Sequence, residues 1–283
     1  MHLIDHGRNY VEETYKRPFL DRSFRSILSF VLPRPKVFLM LALVSKIIKP
    51  FSFLLPQFFK NSLKLMPDKI PSKKLKIQKV YTPQSGKVIS RVALLTGCVQ
   101  RVISPEINES TIRLLNRHDV EVVVMPDIEC CGSLNHHLGK KDLAKTSFVK
   151  NIESWHEEYL SNGLDAIISN TSGCGTTLKD YGHIFKNDKE LKKKASKISE
   201  LTKDITEFLD ENLKLNFKFN DEKKYKIAYH SACSMQHGQQ VHSQPKELIA
   251  KTGNEVLEIP EGHLCCGSAG TYNILHQKMA KSL

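Results

Sequence analysis

Three short apolar runs, "VALL" (92–95), "EVVVM" (121–125) and "DAIIS" (165–169), are rich in β-branched residues and bounded by polar or turn-forming ones, which predicts strands. Between them the period changes. "PEINESTIRLLNRH" (105–118) and "DLAKTSFVKNIESWHEEYL" (142–160) repeat their apolar positions every three or four residues, predicting helices, the second with Asp142 as its cap. Strands alternating with helices predict an α/β fold with a parallel or mostly parallel sheet. A later segment, "SKISELTKDITEFLDENLKL" (196–215), reads as one helix with Leu201, Ile205, Phe208 and Leu209 on a face for the core or for a second domain.

The pattern recurs. Cys98 is followed by 31 residues and then Cys130-Cys131-Gly132; Cys233 is followed by 31 residues and then Cys265-Cys266-Gly267, an offset of 135 throughout. The flanks repeat too: "RVALLTGC" (91–98) answers "YKIAYHSAC" (225–233), and "IRLLNRHDVEVVVMP" (112–126) answers "KELIAKTGNEVLEIP" (246–260). A tandem duplication follows, with a first cysteine-rich domain over 91–220 and a second, incomplete one over 221–283, preceded by a helical arm and linker over 1–90.

Charge sets the arm apart. The net charge of the 283 residues is +12; residues 1–90 hold 17 Lys and Arg against five acids, so the excess lies there and the remainder is balanced. A basic arm suits an acidic partner, an anionic membrane surface or nucleic acid. Nucleic acid is disfavoured, because no aromatic platform interleaves the lysines of "SKKLKIQK" (72–79), which reads as a solvated linker. The apolar run "VFLMLALVSKIIKPFSFLLPQFF" (37–59) is cut by Lys46, Lys49, Pro50 and Pro56, so it is not expected to span a bilayer. The arm either lies on a membrane, packs against a partner, or folds back on its own body. Residues 1–15 have no signal-peptide pattern, so a cytoplasmic place is expected, with the inner face of the cytoplasmic membrane as a contact surface.

In that compartment clustered cysteines bind metal or do redox chemistry more often than they form structural disulfides. All seven fall on the duplicated grid. Cys98 follows the first strand, Cys130 and Cys131 the second and Cys174 the third, so separate loops bring four thiols to one sheet edge. Zinc prefers cysteines two to four residues apart, because a knuckle of that length wraps one ion. Adjacent cysteines suit an iron–sulfur cluster better, since they can reach different irons, while Gly132 and Gly267 allow the sharp turn. Zinc and a redox dithiol remain alternatives. His230 and His263, near Cys233 and Cys265, are candidate hydrogen-bond donors to cluster sulfur, and "NHH" (135–137) is either a binding patch or a polar loop.

The spacing C-x31-CCG-x42-C, with "LLTGC", "NTSGCG", "YHSAC" and "LCCGSAGTYN", resembles the paired cysteine-rich (CCG) domains of the heterodisulfide reductase family. With "IDHGRNYVEETYKRP" and "LPRPKVF" it is similar, over nearly the whole chain, to glycolate oxidase (glycolate dehydrogenase) iron–sulfur subunits. The resemblance implies an electron-transfer subunit of an oxidoreductase complex. An FAD-containing partner subunit oxidises glycolate to glyoxylate, and this chain passes the electrons towards a membrane acceptor such as a quinone. It also implies a cluster, 4Fe-4S in type, with Cys98, Cys130, Cys131 and Cys174 as ligands of the first set and Cys233, Cys265 and Cys266 of the second. No residue of this chain is assigned a catalytic role. The alternatives are a CCG-type reductase of a disulfide or other organic acceptor, and a lactate-utilisation iron–sulfur protein. The chain departs from the pattern in lacking a ferredoxin-like C-x2-C-x2-C-x3-C run, in carrying Thr171 where the fullest motif has another cysteine, and in reaching Leu283 before a counterpart of Cys174. The second set is therefore expected to be incomplete and its cluster labile or missing.

Overall fold

A computed structural model of the chain describes residues 2–54, 63, 66, 71, 79–213, 215, 224–268 and 270–283. The linker "SKKLKIQK", apart from Lys79, lies outside the described residues.

The three apolar runs form β2 (Ser90–Leu95), β3 (Val120–Val123) and β4 (Ala166–Ser169), after a short β1 (Val80–Tyr81). Their side chains are buried on both faces, as a sheet covered by helices on both sides demands. With a further strand β5 (Thr202–Asp204), the strand order is β1-β3-β2-β4-β5, with β1 antiparallel and all other pairs parallel. Because β2 pairs with β3 on one side and β4 on the other, the order reverses at β2. Such a switch point opens a crevice beyond the carboxyl ends of the strands.

Helices α1 (His2–Thr14), α2 (Phe19–Val31) and α3 (Pro35–Ile48) form the arm, and α4 (Gln100–Ile103) and α5 (Pro105–Arg117) lead from β2 to β3. Next come α6 (Ser133–His137) and the long α7 (Lys141–Asn162). One face of α7 buries Phe148, Ile152 and Trp155 with Ile167 and Tyr181 in the main core. Asp142 does not cap α7: Lys140 is the cap residue and no side chain bonds there, while Asp142 sits in the first turn, where its charge still favours the helix dipole.

The segment read as one helix is three elements: α10 (Lys192–Leu201), β5 (Thr202–Asp204) and α11 (Ile205–Asn212), following α8 (Ser172–Lys179) and α9 (Tyr181–Ile184). Thr202 pairs with Ile167, and the Asp204 side chain accepts from the Thr206 N–H while Glu207 reaches back to the Asp204 N–H. That capping box restarts the helix. The edge of a buried sheet thus outweighs the helical period of the segment.

The second unit has a two-stranded parallel sheet, β6 (Lys226–Ala228) and β7 (Glu255–Leu257), with a π-helical turn (Ser234–Gln239) and α12 (Gln244–Lys251) between them. Leu248 of α12 packs in one apolar cluster with Phe208 and Leu209 of α11, so that face does join the units.

The arm divides. Its first two helices fold back on the first unit, where Ser29 donates to Asn135 (2.6 Å), and Val31 clusters with Val102 and with Phe38 from the start of α3. Helix α3 and the 3-10 turn that follows it (Lys49–Leu54) together make one 20-residue stretch, Pro35–Leu54, long and apolar enough to cross a membrane by length and composition alone. Pro50 is accommodated by the change from α to 3-10 geometry, and lysine stems can lie along an apolar surface with their ammonium groups in water. Met40, Leu43, Ile47, Phe53 and Leu54 on this stretch are exposed.

Candidate metal centre

Each thiol of the first unit stands where a sheet-edge loop turns into a helix. Cys98 precedes α4, Cys130 and Cys131 precede α6, and Cys174 lies in the first turn of α8. Cys131 Sγ is 3.0 Å from Cys174 Sγ, and the Gly132 N–H donates to Cys130 Sγ at 3.4 Å. Cys130 and Cys131 are buried, Cys98 and Cys174 half-buried. Gly132 has φ +82°, and an added Cβ would run into the Phe148 ring, so only glycine turns the chain here without strain.

The sulfurs of Cys98, Cys130 and Cys131 are linked by hydrogen bonds. The Cys131 thiol and then the Cys98 thiol hydrogen-bond to Cys130 and, against the opposing effect of burial, bring its pKa down to about 4. The same contacts with Cys130, with burial, push Cys98 and Cys131 well above the ordinary thiol range. A thiolate with two thiol neighbours is a soft donor set, suited to a thiolate-ligated group. The sulfurs form a chain of contacts from Cys98 to Cys174; among the described residues no three His, Cys, Asp or Glu side chains are gathered about a single ion position. Four thiols brought from three loops are the number of donors that an iron–sulfur cluster takes.

Several residues that hold this arrangement carry no motif. The buried Tyr181 hydroxyl donates to the Cys131 carbonyl (2.7 Å), and Asn151 donates to the Cys130 carbonyl (2.9 Å) and to the Tyr181 hydroxyl (3.0 Å), so both carbonyls of the doublet are tied off from beneath. On the other side Gln100 donates to Asn170 (2.8 Å) and Asn108 (3.1 Å), Asn108 donates to the Thr96 carbonyl (2.8 Å), and the Thr171 hydroxyl donates to Gln100. This network joins the Cys98 loop to the Cys174 loop, and Thr171 serves as a tie between them. Asn108 and Asn151 were detectable as polar residues on otherwise apolar helix faces; Tyr181 offered no local signal.

The second set is placed differently. Cys233, Cys265 and Cys266 are all exposed, and among the described residues they are not gathered about one ion position. Gly267 keeps the left-handed turn (φ +71°). His230 and His263 are exposed, and among the described residues neither hydrogen-bonds to a cysteine. "NHH" turns out to be the arm's docking patch: Asn135 takes Ser29, while Asp5 lies 3.2 Å from His137 and 3.6 Å from His136. Burial alone would raise the Asp5 carboxyl, but the two histidines hold it well below the usual carboxylate range.

The sequence also matches known proteins. The chain is 34% identical to the glycolate oxidase iron-sulfur subunit of Escherichia coli (strain K12) over 281 residues, 99% of this chain and 65% of that protein. It is 30% identical to the probable glycolate oxidase iron-sulfur subunit of Bacillus subtilis (strain 168), over 81% of this chain and 51% of the relative. It is also 28% identical to lactate utilization protein A of Anoxybacillus flavithermus, over 65% of this chain and 74% of the relative. The chain thus spans between half and two thirds of the glycolate oxidase relatives it matches. A profile of the cysteine-rich (CCG) domain matches residues 92–179 and 227–283, about half of the chain and both arms of the duplication. On that match, and on the paired CCG turns, the chain belongs to the cysteine-rich CCG-domain family.

Proposed function

We propose that the chain is an iron–sulfur electron-transfer subunit of a glycolate-oxidase-type complex, working beside a flavoprotein that oxidises the 2-hydroxy acid. The observation that carries the reading is the convergence of Cys98, Cys130, Cys131 and Cys174 from three loops on one sheet edge, with Cys131 and Cys174 in contact. The similarity to the glycolate oxidase subunits over nearly all of this chain supports the same role. A bound iron–sulfur cluster supplies one-electron chemistry that no side chain here offers. The chain's own work is to present four sulfurs, hold the doublet's carbonyls through Tyr181 and Asn151, and shield the site within the sheet-edge crevice. Cys233, Cys265 and Cys266 are the proposed ligands of a second group. The lactate utilization relatives favour a second reading in which the donor is lactate; that choice falls to the partner's substrate site.

Anaerobically reconstituted protein should carry iron and acid-labile sulfide, and its visible absorbance should bleach when glycolate and the co-purified flavoprotein are added. Cys174→Ser should remove most of the iron and Cys265→Ser little; equal losses would mean one cluster shared by both halves. Colourless protein with stoichiometric zinc would overturn the reading. The exposed face of α3 is proposed to rest on the anionic surface of a membrane, since apolar side chains and basic residues occur together there. Leu43→Glu with Ile47→Glu should abolish co-sedimentation with anionic vesicles while leaving the fold intact; undiminished sedimentation would place the contact elsewhere.

A further inference from the structure

Apart from the thiols, the described residues line a half-open cleft of about 350 Å³ in the seam between α1 of the arm and the first unit. Its acids are already engaged. Asp5 meets Arg8 at 2.8 Å as well as the two histidines, Asp180 meets His2 at 3.1 Å, and Asp188 accepts the backbone N–H groups of Glu190 and Leu191 and faces Lys145 at 3.7 Å. Lys141 and Lys186 also line the cavity and make no ion pair among the described residues. The rings of His2 and His183 stack at 3.5 Å with 6° between their planes. Burial first, then His2 and Lys186, hold the His183 pKa below its ordinary value against the opposing pull of Asp180.

Two unpaired ammonium groups beside several imidazoles, with each acid already bonded to a partner, suit a compact anion. We propose that this seam binds a small oxyanion, a carboxylate or a phosphate, with Lys141 and Lys186 supplying the charge and the imidazoles the N–H donors. Since α1 forms one wall, occupancy fastens the arm to the first unit. The cavity also reaches the CCG turn: Phe148 is part of its lining, meets His136 edge-on with ring centroids 5.6 Å apart, and lies against Gly132.

The test uses the full chain and needs neither cluster nor flavoprotein, so its outcome is separate from that of the electron-transfer reading. Glycolate, inorganic phosphate and uncharged glycolamide are titrated in turn, with binding followed by calorimetry and by the histidine C2–H resonances. At least one anion should bind and shift the His2 and His183 signals, glycolamide should not, and which anion binds more tightly distinguishes carboxylate from phosphate. The double variant Lys141→Gln/Lys186→Gln should bind about tenfold more weakly or worse, with an unchanged circular dichroism spectrum. Equal binding of glycolamide and glycolate, equal binding by the double variant, or no binding of either anion would each overturn the proposal.

Discussion

At the scale of single residues, the carbonyls beneath the cysteine doublet matter as much as the sulfurs above it. Tyr181→Phe deletes the bond to the Cys131 carbonyl and takes an acceptor from Asn151, leaving buried polar groups unpaired. The expected cost is about 1–3 kcal/mol, read as a lower urea midpoint, together with faster loss of iron to a chelator. Unchanged iron retention would show that the doublet is held by its sulfurs alone. The thiols also set a pH dependence for the metal-free chain. The Cys130 pKa lies near 4 when folded and at 9 by default, so its contribution to stability falls away as the pH drops towards 4. Cys98 and Cys131 are raised when folded, so their contribution is complete below 9 and fades above it, where the unfolded chain would ionise. Denaturation of the metal-free chain should show stability rising from about pH 4, peaking near the ordinary thiol range and falling beyond it. Cys130→Ser should flatten the rising limb.

At the scale of elements, α1 is a strap and Asp5 its fastening. The depressed Asp5 pKa means that the stabilisation is present above 3.8, the ordinary value, and lost as the pH falls below it and the folded carboxylate takes up its proton. Asp5→Asn should speed proteolysis in the joint between α1 and α2 at pH 7, and the wild-type strap should come to resemble the variant only in strong acid. Equal cleavage rates at pH 7 would mean that Ser29 and the apolar contacts of α2 hold the arm without it. The break of the 196–215 segment into α10, β5 and α11 follows a similar logic, since three residues at a sheet edge with a capping box behind them can interrupt a helical period.

At the scale of the whole molecule, the two units meet through small residues next to their cysteines. Helix α8, which carries Cys174, packs on the π-helical turn that follows Cys233, and Ser234 donates to Ser172 at 2.8 Å. An added Cβ at Gly238 would lie 2.5 Å from Thr176 Oγ1, and one at Gly175 2.5 Å from the Gln239 side chain. Gly238→Val should therefore cost about 1–3 kcal/mol and loosen the contact, so that one urea transition becomes two. A single unchanged transition would locate the coupling in the apolar contact of α11 with Leu248 instead.

The sequence alone determined the duplication, the three central strands and the delivery of Cys98, Cys130, Cys131 and Cys174 to strand ends. Those features follow from spacing and from local period, which act over a few residues. Tertiary structure decided that β2 lies between β3 and β4, that Thr202–Asp204 becomes a fifth strand, that the arm divides into a docked strap and an exposed apolar helix, and that Tyr181 braces a cysteine 50 residues away. It also set the first four sulfurs together while leaving Cys233, Cys265 and Cys266 exposed, although both sets share one spacing. The reason is physical. A spacing places a thiol at the end of a strand, but which thiols meet depends on which strands pair and how completely the sheet beneath them is covered. The first unit lays five strands under helices on both faces; the described part of the second pairs only two.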